Sequence, residues 1–150
     1  MSYTVLIIDD DKQARKNVSE YLKLCGYEVF EAGTLKEGTE FISKGDGDII
    51  VLDVQLPDGN GLDLMSELST QPSRIPVIMI TGFGNIEMAV DAMKNGAHDF
   101  LTKPIDLDDL EVTLNRAIRY GQQVRQEMTE RQQTEKRLLQ LEKAIELLTQ

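Results

Sequence analysis

The sequence predicts a doubly wound α/β fold, with five parallel strands in the order 2-1-3-4-5 and helices on both faces. Three observations support this. The continuous apolar runs at 5–8, 49–52 and 77–80 are rich in Val and Ile and lack polar alternation, as expected of strands covered on both faces. Between them lie stretches whose apolar residues recur with helical spacing. Finally, each run stops on acids or a hydroxyl: Asp9-Asp10-Asp11, then Asp53, then Thr81-Gly82.

In chain order, the first strand is Val5-Leu6-Ile7-Ile8. A helix follows over 12–24, with Ala14, Val18, Tyr21, Leu22 and Cys25 on one face and Gly26 as its stop signal. Cys25 reads as a buried, inert thiol at the end of that face. A short strand covers 27–31. A helix over 35–43 starts from Thr34 as N-cap. The third strand, 49–52, runs into Asp53, and Pro57-Asp58-Gly59-Asn60-Gly61 has the composition of a loop. A helix over 62–68, the fourth strand over 77–80 and a helix over 86–94 closed by Asn95-Gly96 come next. Met79, Met88 and Met93 fall at core spacing. Asp99-Phe100-Leu101 is the fifth strand, followed by Thr102-Lys103-Pro104. Right-handed crossovers put the helices on both sides of the sheet, an arrangement of the flavodoxin-like kind.

The last segment differs. From Leu107 onward there is no proline and one glycine, Gly121. Leu107, Leu110, Leu114, Ala117, Gly121, Val124 and Met128 follow alternating steps of three and four, a heptad seam. The seam turns polar at Arg131 and Glu135. A new phase begins at Leu138, Leu141, Ile145 and Leu148, as a stammer would produce. As straight helix, 107–150 would reach about 65 Å, more than one small domain can cover. The expectation is a domain over 1–122 and a helical coiled-coil linker over 123–150, pairing with a second chain and leading toward a further output domain, of PAS type by the look of 137–146.

Composition narrows the function. Apolar residues make up 41% of the 150, enough for a packed core. The formal charge is −10, so nucleic-acid binding by this chain is not expected, because phosphate contacts need clustered Lys and Arg. Residues 1–105 hold 17 acids against 9 bases, whereas 106–150 hold 9 against 7. The acidic excess thus sits in the first part, where a carboxylate-rich site would need a cation or a basic partner. No apolar run is long enough to span a membrane and no secretion signal opens the chain, so a cytoplasmic location is expected.

Open α/β sheets bind ligands outside the carboxyl ends of their strands. The strand order brings together Asp9 and Asp10, Asp53, Thr81 and Lys103. Close carboxylates stay jointly ionised only with a compensating charge, and a hard, oxygen-seeking cation such as magnesium supplies one. Asp9 or Asp10, Asp53 and a backbone carbonyl such as that of Gln55 would hold it. Asp53 could then attack a phosphoryl donor in line, with Lys103 on a phosphoryl oxygen and Thr81 donating to the acyl phosphate. Other acids have plainer readings. Asp11 suits a helix cap, Asp58 and Asn60 suit the turn, Asp63 and Asp91 are solvated, and Asp106, Asp108 and Asp109 suit a helix's first turn. His98, the only histidine, reads as an exposed or packed residue rather than a ligand.

These residues resemble the receiver domains of two-component response regulators. The resemblance rests on 5–11, Asp53 with Leu56-Pro57-Asp58-Gly59-Asn60-Gly61, Thr81-Gly82, Gly96-Ala97-His98-Asp99-Phe100 and Lys103-Pro104, and covers about 3–120. It implies Asp53 as phospho-acceptor, Asp9 and Asp10 at a magnesium ion, Thr81 as switch hydroxyl, Lys103 as phosphate partner and Phe100 as an aromatic that rotates inward on activation. It also implies a cis peptide before Pro104, a sensor histidine kinase as partner, and a signalling module rather than a metabolic enzyme. Gln55 and Phe83 occupy positions that tune the lifetime of the phosphoryl group. The alternative is a phosphorylation-independent receiver that serves as a dimerisation or interaction module. A haloacid-dehalogenase-like phosphatase fits less well: that group has Thr or Val where this chain has Gln13, and lacks the Asp53 and Lys103-Pro104 arrangement.

Overall fold

The computed structural model describes residues 2–45, 47–71, 75–82 and 86–149. The main sheet contains β1 (Thr4–Ile8), β2 (Glu28–Ala32), β3 (Ile49–Asp53), β4 (Val77–Thr81) and β5 (Asp99–Thr102). All its pairings are parallel and the order is β2-β1-β3-β4-β5, as the sequence predicts. The helices are α1 (Lys12–Leu24), α2 (Leu35–Ser43), α3 (Gly61–Ser69), α4 (Ile86–Lys94) and α5 (Leu107–Leu148). A two-residue antiparallel ladder, Gln55–Leu56 with Gly59–Asn60, folds the loop after β3.

Every residue of β1, β3 and β4 is buried, which is why their sequences lack polar alternation. The pleat still sorts them. Leu6, Ile8, Ile50, Leu52 and Met79 face α2, α3 and α4. Val5, Ile7, Val51, Ile78 and Ile80 face α1 and the start of α5. β2 is the half-open edge, where Phe30 is partly exposed and its ring meets that of Phe41 at 4.4 Å.

The helix ends are set locally. Asp11 caps α1, accepting from the Gln13 and Ala14 amides, each at 3.1 Å. Thr34 caps α2 and Asn60 caps α3. Both α1 and α4 end in paired backbone bonds of the Schellman type: Tyr27 N–H to Leu22 O with Gly26 N–H to Lys23 O, and Ala97 N–H to Ala92 O with Gly96 N–H to Met93 O. Gly26 (φ 98°) and Gly96 (φ 101°) take the left-handed conformation these caps require.

Three expectations need correction. Cys25 is exposed, because it is the C-cap of α1 and the core seats there belong to Leu22 and Tyr27. Met93 is exposed on α4, where Ala89 and Ala92 form the buried stripe. The heptad seam is also not one continuous surface: Leu110, Leu114 and Ala117 are fully buried in the core beside α1. Packing against a sheet and packing against another helix call for the same three-four spacing, so sequence alone could not separate them.

By contact the chain divides into two units, Met1–Ile118 and Arg119–Gln150. The first holds the sheet. The second is helical, and Leu138, Leu141, Ile145 and Leu148 are each more than half exposed. Among the described residues, no helix is long and apolar enough to cross a membrane.

Candidate functional site: an acidic cluster at the strand ends

The site continues the sheet's own ladder. The Asp9 amide donates to Ala32 O at 3.0 Å, the Val54 amide to Ile80 O at 3.1 Å and the Lys103 amide to Thr81 O at 2.9 Å. The first residue beyond β1, β3 and β5 is therefore held by the neighbouring strand. Asp9, Asp53, Thr81 and Lys103 meet at one edge because β1, β3, β4 and β5 are adjacent there.

Asp9 and Asp53 are buried, whereas Asp10 is exposed. Carboxylate oxygens of all three lie within 4.8 Å of one another. Lys103 Nζ donates to Asp53 Oδ2 at 2.8 Å and pairs with Asp9 Oδ2 at 3.3 Å. Asp53 Oδ1 accepts from the Gln55 amide at 3.1 Å, and Asp9 Oδ1 accepts from the Asp11 amide at 3.0 Å.

The electrostatics follow from this crowding. Burial pushes the Asp9 carboxyl above its ordinary value, and neighbouring Asp53 pushes the same way. The Asp11 amide and Lys103 pull it down without cancelling the rise. For Lys103, burial disfavours the charge, but hydrogen bonds and charges from Asp53 and Asp9 outweigh it, so the ammonium is held above its usual range. One ammonium thus serves two buried carboxylates, and a third beside them has no ion pair among the described residues.

Two further features suit the cluster to a cation and a phosphoryl group. The donors are all carboxylate oxygens, the chemistry of magnesium rather than of a soft metal. Thr81 Oγ1 is buried with no hydrogen-bond partner among the described residues, so an arriving oxygen would satisfy it. Phe100 lies on β5, two residues before Thr102, which is in register with Thr81; its ring is partly exposed. Gln55 is exposed beside Asp53. The Lys103–Pro104 peptide bond is cis. Phe83 lies outside the described residues.

Some contacts are not foreshadowed by the sequence. Gly61 is more than a turn residue: a Cβ there would run into the Asp53 carbonyl, and its amide donates to Val54 O at 2.7 Å. Asp58 reaches out of its turn to α2, accepting from the Leu35 amide at 2.8 Å and the Lys36 amide at 3.0 Å. Arg15 bonds the Asp9 carbonyl at 2.7 Å. Only Gly61, four residues after Pro57 and at the start of a helix, carried a local signal.

Comparison with known proteins places this geometry. Residues 5–115 match the response regulator receiver domain family. The response regulator protein PilR of Pseudomonas aeruginosa is 37% identical over 114 residues, which is 76% of this chain and 26% of PilR. The regulatory protein AtoC of Escherichia coli is 31% identical over 76% of this chain and 25% of its own length. The chain thus spans about a quarter of the curated relatives it matches. Among solved structures, the receiver domain of NtrX from Brucella abortus superposes with a TM-score of 0.73 at 34% identity, covering 77% of this chain and 98% of that one. A receiver domain protein from Clostridium thermocellum gives 0.77 at 30%, covering 81% and 98%. Because the matched span holds all of the sheet but Thr4, together with every strand-end residue of the acidic cluster, this chain belongs to the response regulator receiver domain family.

Proposed function

We propose that this receiver is a phosphorylation switch that takes a phosphoryl group onto Asp53 from a phosphohistidine of a sensor kinase. The observation that carries the reading is the Asp53 carboxylate itself: buried at the end of a central strand, bound to Lys103 at 2.8 Å and faced by Asp9 and Asp10. Asp9, Asp10 and Asp53, with the Gln55 carbonyl, would hold magnesium, which when bound supplies positive charge to phosphoryl oxygens. An Asp53 carboxylate oxygen forms a bond to phosphorus as the P–N bond of the donor breaks, and the electron pair leaves on the imidazole nitrogen. Lys103 moves from the free carboxylate to the charge on the phosphoryl oxygens. Thr81 donates its unused hydroxyl proton to one of them, and Phe100 turns inward behind it. The chain acts only on its own carboxylate, as a signalling module in the cytoplasm.

The change is a shift between two populations. Its output is a dimer formed with a second copy of this chain through the C-terminal helix, leading to an output domain beyond it. Mass spectrometry after incubation with acetyl phosphate and magnesium tests the first step. An adduct of one phosphoryl group on Asp53, absent in Asp53→Ala, is expected. No adduct, or an adduct that survives the substitution, would favour the phosphorylation-independent interaction module.

A further inference from the structure

Asp10 poses a positioning problem. It is exposed, and its carboxylate makes no hydrogen bond or ion pair among the described residues. Yet an oxygen of Asp10 lies within 4.8 Å of oxygens of Asp9 and Asp53. No hydrogen bond or ion pair from the described residues holds the Asp10 side chain, so its place is set by the backbone on either side. On the far side, the Asp11 amide is tied to Asp9 Oδ1 and the Asp11 carboxylate caps α1. On the near side, the Asp9–Asp10 peptide is gripped at its carbonyl by Arg15 Nη1 at 2.7 Å.

Arg15 is itself fixed. Its Nε donates to Glu31 Oε1 on β2 at 3.1 Å, and its side chain is largely covered. Gly33 leaves room for it: a Cβ there would lie 3.3 Å from Nη1. The planar guanidinium therefore holds two acceptors on different elements from separate nitrogens of one rigid fork, a geometry that the point charge of a lysine on its flexible stem does not fix.

We propose that Arg15 is the positioning residue of the acidic cluster, orienting the Asp9–Asp10 peptide so that the Asp10 carboxylate completes the cation site. This rests on reading Asp9, Asp10 and Asp53 as that site. The proposal makes a prediction opposite in sign to simple electrostatics. Arg15 is a cation near a site for cations, so removing its charge would tighten metal binding if charge were all that mattered. A positioning role requires the reverse.

The test is calorimetric titration of the full chain with Mg2+ for wild type, Arg15→Gln, Arg15→Lys and Glu31→Gln. Both Arg15 variants are expected to weaken binding by about tenfold or more, as loss of an outer-shell partner does. Glu31→Gln keeps an acceptor for Nε and is expected to stay close to wild type. In acetyl phosphate reactions the half-saturating Mg2+ concentration should rise in Arg15→Lys, with the rate at saturating Mg2+ unchanged. Urea unfolding in EDTA reports stability separately, and Arg15→Lys retains the charge should Arg15→Gln fold poorly. Equal or tighter Mg2+ binding by the Arg15 variants, or a loss seen only where the EDTA stability also falls, would overturn the proposal while leaving the cation site intact. Failure of the wild type to bind Mg2+ would overturn both.

Discussion

Asp9 is the residue whose environment suits it least. It is buried, faces a second carboxylate and shares one ammonium with it. Its carboxyl is held above the ordinary range, chiefly by burial. The native state thus binds this proton more readily than the unfolded chain does. Asp9 therefore opposes folding at pH above its native value, and the opposition fades as pH falls through that value. In EDTA at pH 7, Asp9→Asn is expected to raise the thermal midpoint by a few degrees, because Lys103 keeps Asp53 at 2.8 Å and the repulsion is gone. The same variant should lose most of the rise in midpoint that Mg2+ gives the wild type. A lower midpoint in EDTA would mean that the Lys103 contact outweighs the burial of Asp9. Much of this site was legible in the sequence, because acids that end apolar strands have one place to go. Arg15 was not, because an arginine on an amphipathic helix shows nothing of which carbonyl it reaches.

The same contrast holds for whole elements. Strands β1, β3 and β4 were readable from continuous apolar runs, and α1 to α4 from their periodicity and caps. The link between the loop after β3 and α2 was not, because Asp58 acts across 22 and 23 residues of sequence. That link has a pH signature. Two helix-end amides hold the Asp58 carboxyl below its ordinary value of 3.8. The unfolded chain takes up this proton first, so the stability Asp58 contributes is present above that value and is lost as pH falls through the lower native one. Asp58→Asn should flatten the acid limb of a stability–pH curve below about pH 4 while leaving the slope near neutrality unchanged. An unaltered acid limb would show that the two bonds do not persist in solution. The fate of α5 lay beyond the sequence for a different reason: one heptad spacing serves two kinds of surface, and only the burial of Leu110, Leu114 and Ala117 assigns the first stretch to the core.

For the molecule as a whole, the apolar positions available to a second copy shift toward the C-terminal unit. Leu138, Leu141, Ile145 and Leu148 keep a three-four-three spacing and stay exposed. In a parallel pair with Leu138 at an a position, Arg137 and Glu142 occupy g and e, where opposite charges attract across the interface. If the chain pairs as proposed, replacing Leu141 and Ile145 together with Gln is expected to shift sedimentation from dimer to monomer, with about a tenfold or greater rise in dissociation constant. The rate of Asp53 phosphorylation should stay the same, because the unit Met1–Ile118 carries its own core. An unchanged dimer would move the interface elsewhere. The backbone ladder bears on how the site can fail. Since the amides of Asp9, Val54 and Lys103 are bonded into neighbouring strands, the acidic cluster is tied to the sheet and does not come apart by local fraying while the sheet survives. Its integrity is as cooperative as the fold, so a substitution deep in the core would disarm the proposed switch by thinning the folded population, leaving each surviving molecule with an intact cluster.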